Sequence, residues 1–172
     1  MEIQSTVPGK EGRLLPVLYR DVDSEKDFEG IKIDSIRAYC FYNEQLVVVR
    51  EPEGHWGLPG GSVEEGEHVK DAAHREVMEE TNMKILGMRF VSIQQVVFPT
   101  GPAYHVVRVA CLVEPIGEFK ADPAGEVTEI KLIEPTAIIS LADSHWGKMA
   151  ERMLERAVDL KRVMETEVGF VQ

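Results

Sequence analysis

Apolar residues gather in short runs separated by Pro, Gly and charge, and the spacing inside each run predicts an element. Ile36 to Tyr42 is rich in β-formers, Asn43-Glu44 supplies a turn, and Gln45 to Arg50 carries Leu46-Val47-Val48-Val49, so 35–50 predicts a hairpin. Pro52 to Gly61 is punctuated by Pro and Gly and predicts a loop. Residues 67–81 contain neither residue and predict a helix. Ile85 to Val97 alternates loosely, as a strand does, and His105 to Val113 predicts a buried strand interrupted by Arg108. Pro115 to Gly125 predicts a loop and Val127 to Ile133 a further strand. Trp146, Met149, Met153, Ala157 and Leu160 recur at helical spacing among charged residues, which predicts an amphipathic closing helix from about Ser144 to Val163. Leu14 to Tyr19 predicts a short strand, and Asp21 to Glu29 a charged loop. Strands and helices mixed without strict alternation indicate an α/β or α+β sandwich.

Composition narrows the partners. The 172 residues suit one domain, and a 44% hydrophobic share is enough for a core. The formal charge of −11, from 19 Lys+Arg against 30 Asp+Glu, repels nucleic-acid backbones and anionic lipid. A nucleic-acid polymer or a membrane is therefore not expected as the partner, and a small anionic substrate would need a bridging cation. Cys40 and Cys111 each sit in an apolar stretch and form no CxxC pair, so they read as reduced core thiols. No segment approaches the roughly 18 apolar residues that span a bilayer. The chain reads as soluble and cytoplasmic.

The predicted helix carries the chemistry. With Glu76 at zero on a wheel of about 100° per residue, Val69, Ala72 and Ala73 fall near 20°, −40° and 60°. Glu79 and Glu80 fall near −60° and 40° on the same wheel. One stripe thus begins apolar and turns into three carboxylates. Side chains at i, i+3 and i+4 are neighbours, so these charges repel, and partial burial worsens it. A multivalent cation among them removes the conflict, and carboxylate oxygen is what a hard ion such as Mg²⁺ prefers. Ahead of the helix, the glycines of Leu58-Pro59-Gly60-Gly61 let backbone approach a ligand closely.

Gly61, then Glu67, then Arg75-Glu76-Val77-Met78-Glu79-Glu80-Thr81-Asn82-Met83 resembles the Nudix box. Six Gly or charged positions match at fixed spacing, which chance supplies on the order of once in 10⁷ windows at residue frequencies of about 7%. The likeness extends more loosely from about Ile33 to Val163 and includes Trp56-Gly57-Leu58-Pro59-Gly60-Gly61. Asn82 stands where the family has Gly, and Asn is the next-best residue for a left-handed helix end.

The resemblance implies a Nudix-like α/β/α sandwich with a mixed sheet. It implies Mg²⁺ (or Mn²⁺) as cofactor, held by Glu76, Glu79 and Glu80 with the Gly60 carbonyl as a further ligand. It also implies a structural pair, Glu67 with Arg75. The activity implied is a pyrophosphohydrolase cleaving the diphosphate linkage of a nucleoside diphosphate derivative, with Glu76 and Glu80 catalytic. Glu126 and Glu129 are the downstream candidates for the general base, and Glu126 ranks first as nearer the flexible loop. Pro99, sixteen positions past Met83, resembles the branch that acts on ADP-ribose and nucleotide sugars. Phe98, Tyr104 and His105 are candidates to meet a base, with ordinary strand or loop packing as the alternative, and Arg50 and Arg108 are candidates to touch phosphate, with solvent or a salt bridge as the alternative. The alternatives are a nucleoside triphosphate pyrophosphohydrolase and a non-catalytic nucleotide-sensing module. Residues 33–165 are assigned to the Nudix domain and 166–172 to a tail. Residues 1–32 form an extension of the same globular unit, where strands would add to a homodimer interface.

Overall fold

The computed structural model describes residues 1–9, 12–119, 125–141 and 147–169. The predicted hairpin forms β3 (Ser35–Tyr42) and β4 (Gln45–Arg50), with Asn43 in the left-handed region at φ 53. It sits at the centre of a mixed sheet. β1 (Glu2–Pro8), β2 (Leu14–Asp21), β5 (Trp56–Gly57), β6 (Met83–Val96) and β7 (Tyr104–Pro115) complete the order β1-β2-β6-β7-β3-β4-β5, and β8 (Glu129–Ile133) also pairs with β4. β3 runs parallel to β7, and the other pairings among the described residues are antiparallel.

Side chains alternate across the central strands, so each face has its own core. On one face Ile36, Ala38, Cys40 and Val47 meet Ala72, Ala73 and Val77 of α1 (Val69–Thr81). On the other, Tyr39, Phe41, Leu46 and Val48 meet Met149, Met153, Leu154, Ala157 and Met164 of α3 (Gly147–Val168), with Ile138 of the short α2 (Ile138–Leu141). Burying each Leu or Met of that stripe is worth roughly 1.5–3 kcal/mol, which is what holds the closing helix down. The architecture is the α/β/α sandwich expected.

Several boundaries differ from the sequence-based expectation. β1 was not expected; it is held by β2 in a register that runs from Glu2 opposite Arg20 to Pro8 opposite Leu14. β2 in turn pairs with β6, so the extension lies in the same sheet. Val127 is buried just ahead of β8 and is not part of it. The closing helix continues through residues 166–168, beyond its predicted end, while Ser144 and Trp146 lie outside the described residues. The charged loop includes a 3-10 turn at Glu25–Phe28, whose Ser24 and Asp27 form a capping box. Cys40 and Cys111 stand opposite each other on β3 and β7, both buried and free.

Candidate active site

The loop that enters α1 lies along β3 and is pinned to it. Ile36 N donates to the Gly61 carbonyl at 2.9 Å, Ala38 N to the Pro59 carbonyl at 2.8 Å, and Val63 N to the Asp34 carbonyl at 3.0 Å. Gly60 has φ +139, and a Cβ there would lie 2.3 Å from the Ile36 carbonyl oxygen, so only glycine fits. Gly61 is needed for a different reason. A Cβ there would lie 2.5 Å from Oε1 and 2.7 Å from Oε2 of Glu76, so the carboxylate occupies the place a side chain would take.

Helix α1 delivers the acids to this turn. Glu76 and Glu80 are buried, while the Glu79 side chain is 41% exposed, at the edge of the stripe. The Gly60 amide donates to Glu80 Oε2 at 2.7 Å. Arg75 grips Glu67 with two prongs, Nε to Oε1 and a terminal nitrogen to Oε2, each at 2.9 Å. It also donates to the Ser62 carbonyl at 3.0 Å and to Glu76 Oε1 at 2.7 Å, and lies 3.5 Å from Glu79 Oε2. The Arg75 contact holds the Glu67 carboxyl below its ordinary range. Burial raises the Glu76 carboxyl, Arg75 opposes that, and the carboxylates of Glu79 and Glu126 push it further up. Glu126 is thus close enough to Glu76 to repel it, although 50 residues separate them in the chain. At its far end α1 stops on Asn82 at φ 54 and ψ 37, whose side-chain amide donates to the Glu118 carbonyl at 2.8 Å.

A cleft of about 370 Å³ opens over the turn, lined by Arg37, Glu51, Gly60, Gly61, Glu80 and Glu126 among others. A larger hollow of about 980 Å³, walled by residues between 25 and 33 and between 63 and 69, includes Glu67 but none of the other acids of the box. Of the box acids, Glu80 lines the smaller cleft, together with Glu126, while Glu76 is packed behind the Gly61 backbone that also lines it. Among the described residues, Arg50, Phe98 and Pro99 do not line it, whereas Tyr104 does. Arg50 lies 3.5 Å from Glu129 in an exposed ion pair, and Phe98 is exposed. Glu129 is exposed on β8.

Arg37 was missed in the sequence. It donates to the Ile36 carbonyl at 3.2 Å and to the Gly60 carbonyl. The available signal was a charged residue inside the apolar run Ile36 to Phe41, where it interrupts a strand buried on both faces.

The donor chemistry fits a hard divalent cation. Each group offered is oxygen, from Glu76, Glu79, Glu80, Glu126 and the Gly60 carbonyl, and the mutual repulsion at Glu76 is what a cation would relieve. Among the described residues, no three His, Cys, Asp or Glu side chains already converge on one point. Arg75 and the Gly60 amide hold Glu76 and Glu80 where they are.

Comparison with known proteins gives the family and the fold. The profile of the NUDIX domain matches residues 32–155. A 71-residue stretch is 39% identical to the NAD-capped RNA hydrolase NudC of Photorhabdus laumondii, covering 41% of this chain and 26% of that one. The chain thus aligns with about a quarter of that relative's length. The fold is similar to the Bacillus subtilis pyrophosphohydrolase BsRppH, with a TM-score of 0.61 and 18% identity over 75% of this chain and 77% of that one. It is also similar to an ADP-ribose pyrophosphatase from Streptococcus suis, with a TM-score of 0.52 and 22% identity over 74% and 90%. These two likenesses are of fold. The profile match spans most of the chain and contains the whole glutamate-bearing helix with its glycine turn, so the chain belongs to the Nudix hydrolase family.

Proposed function

We propose that this chain cleaves the diphosphate linkage of a nucleoside diphosphate derivative in a divalent-cation-dependent reaction, with ADP-ribose or a nucleotide sugar as the first candidate. The observation that supports this most is the Gly60-Gly61 turn, where Glu76 packs against Gly61, the Gly60 amide donates to Glu80, and Glu126 from a distant loop lines the same cleft as Glu80. Glu76, Glu79, Glu80 and the Gly60 carbonyl would hold Mg²⁺ or Mn²⁺, which when bound supplies charge neutralisation and Lewis acidity to the diphosphate. Glu80 keeps the turn in place through the Gly60 amide, and Arg75 with Glu67 braces loop against helix. Glu126, which lines the cleft, would accept the proton of the attacking water. The water oxygen bonds to phosphorus as the bridging P–O bond breaks, and two phosphate monoesters leave. Free Cys40 and Cys111 support a reducing, cytoplasmic setting.

The likeness to a capped-RNA hydrolase raises a second reading, in which the nucleotide ends an RNA chain. The net charge of −11 opposes a long RNA contact. A panel of ADP-ribose, nucleotide sugars, dinucleoside polyphosphates, nucleoside triphosphates and capped RNA, assayed with Mg²⁺, separates these substrates. Glu80→Gln should lose about 10²–10³ in rate with the fold intact, the scale of removing a key electrostatic group. Equal activity of that variant would refute the assignment.

A further inference from the structure

The Gly60 peptide faces two ways. Its amide donates to the buried carboxylate of Glu80 at 2.7 Å, and its carbonyl accepts from the Arg37 guanidinium. The place of Arg37 follows from the pinning of the loop onto β3. The amides on either side of it, Ile36 and Ala38, donate to the Gly61 and Pro59 carbonyls. Gly60 is thereby pressed so close to β3 that a Cβ on it would lie 2.9 Å from the Arg37 Cα. The half-buried Arg37 side chain folds back over that contact, and its Nη1 also donates to the Ile36 carbonyl at 3.2 Å. Both acceptors are neutral carbonyls, weaker partners for a guanidinium than a phosphate oxygen is. Arg37 also lines the catalytic cleft with Glu80 and Glu126. The carbonyl that receives it is the one assigned above to the divalent cation. A guanidinium and a divalent cation on one oxygen repel each other, and the cation is the stronger partner because the neighbouring carboxylates bind it too.

We propose that Arg37 is a substrate-binding residue released by the metal: in the metal-free chain it holds the Gly60 carbonyl in the cation's place, and in the loaded chain it gives up that carbonyl and binds the diphosphate. The assignment rests on the pyrophosphohydrolase reading and deepens it, because it couples the cation to the substrate. Without substrate, the cation must displace a charge-assisted hydrogen bond and binds more weakly than its ligands alone would allow. A diphosphate offers the displaced guanidinium a bidentate partner, so each ligand favours the other.

Calorimetric titration of the full chain with Mn²⁺, without nucleotide, reads the first half of the proposal. Arg37→Met should bind Mn²⁺ about tenfold more tightly than the parent, since one charge-assisted hydrogen bond no longer has to be displaced. Its kcat/KM on the best substrate of the panel should nevertheless fall by about tenfold or more, because the diphosphate loses its guanidinium. These opposite signs separate the proposal from a structural role, in which losing Arg37 loosens the turn and weakens both. Arg37→Gln, which still offers the carbonyl an N–H but no charge, should behave as Arg37→Met does. Arg37→Lys keeps the charge and should keep the Mn²⁺ affinity within about threefold of the parent. Arg89→Met removes an exposed arginine paired with Glu167 and changes the net charge equally, and it should move neither quantity by more than about twofold. Melting curves establish that each variant is folded, and Arg37→Gln decides on the same terms where Arg37→Met is not. An unchanged or weaker Mn²⁺ affinity in the folded neutral variants overturns the proposal, as does tighter binding with an unaltered kcat/KM. Turnover of no probe by the parent refutes the pyrophosphohydrolase reading and takes this proposal with it, whereas turnover with equal Mn²⁺ affinities overturns the proposal alone.

Discussion

Gly61→Ala separates folding from catalysis more cleanly than removing a carboxylate does. The added Cβ would meet only the end of the Glu76 side chain, with Oε1 at 2.5 Å and Cδ at 2.6 Å. Ordinary van der Waals contact begins at 3.4 Å, so the carboxylate must retreat by about 0.9 Å. Backbone does not obstruct this, because none of the nearest atoms is main chain. The retreat stretches the 2.7 Å bond from Arg75, which costs about 0.5–1.5 kcal/mol. For a chain of this length that lowers the melting temperature by only a few degrees, at roughly 2–4 °C per kcal/mol. Catalysis suffers far more, because a misplacement of about 1 Å in a positioned group costs on the order of 10²-fold. Calorimetric melting together with initial rates on the best substrate of the panel measures both quantities. A variant that melts within a few degrees of the parent and turns over at the parental rate would show that the Glu76 carboxylate does not act from its observed position. Gly60→Ala is the contrast: its Cβ strikes the Ile36 carbonyl oxygen at 2.3 Å and requires φ +139, so it should unfold the turn and β3 together.

Millimolar Mg²⁺ should raise the melting temperature, because a cation binds only the folded carboxylate cluster, and an unchanged melt would count against a preformed site. Asp21 accepts hydrogen bonds from Tyr19 at 2.6 Å and Arg152 at 2.7 Å; burial opposes its ionisation, but these bonds prevail and bring the carboxyl down to about 2. Its folded-state pKa is depressed, so the stabilisation of roughly 2 kcal/mol is complete above about pH 5 and disappears as pH falls towards 2. Urea melts of Asp21→Asn should show a flatter dependence across that window. Asn82→Ala should cost about 1–2 kcal/mol, because alanine enters the left-handed region less readily than asparagine and the bond to the Glu118 carbonyl is deleted, and an unaltered urea midpoint would refute that cap.

What could be read directly from the sequence was local. The hairpin at 35–50 depends on β-formers flanking a two-residue turn, and α1 on a stretch without Gly or Pro, so each was legible within a short window. The box acids were legible because a helix converts fixed spacing into a shared face. The same geometry shows its limit at Glu79, which on the wheel belongs to the stripe but lies far enough towards its edge to be 41% exposed. β1 was not legible because its residues Glu2 to Pro8 are mixed in character, and its place depends on β2, which depends in turn on β6.

The other half of the site is long-range, and no window contains it. Arg50 was a reasonable choice for a phosphate contact as the charged end of an apolar strand, yet β4 carries it to the edge, where Glu129 of β8 meets it. Arg37 had a stronger signal, a charge inside an apolar and mostly buried strand, but the cleft it lines is built with residues far away in the chain, Glu80 and Glu126 among them. Only the parallel pairing of β3 with β7 sets Arg37 opposite Arg108. Glu126 follows the same logic, since its repulsion of Glu76 exists only once β8 has folded back onto β4. The chain places acids together by helical periodicity and bases together by sheet topology. Sequence inspection finds the first arrangement and misses the second, because helical spacing lies within one short window of the chain and strand pairing does not.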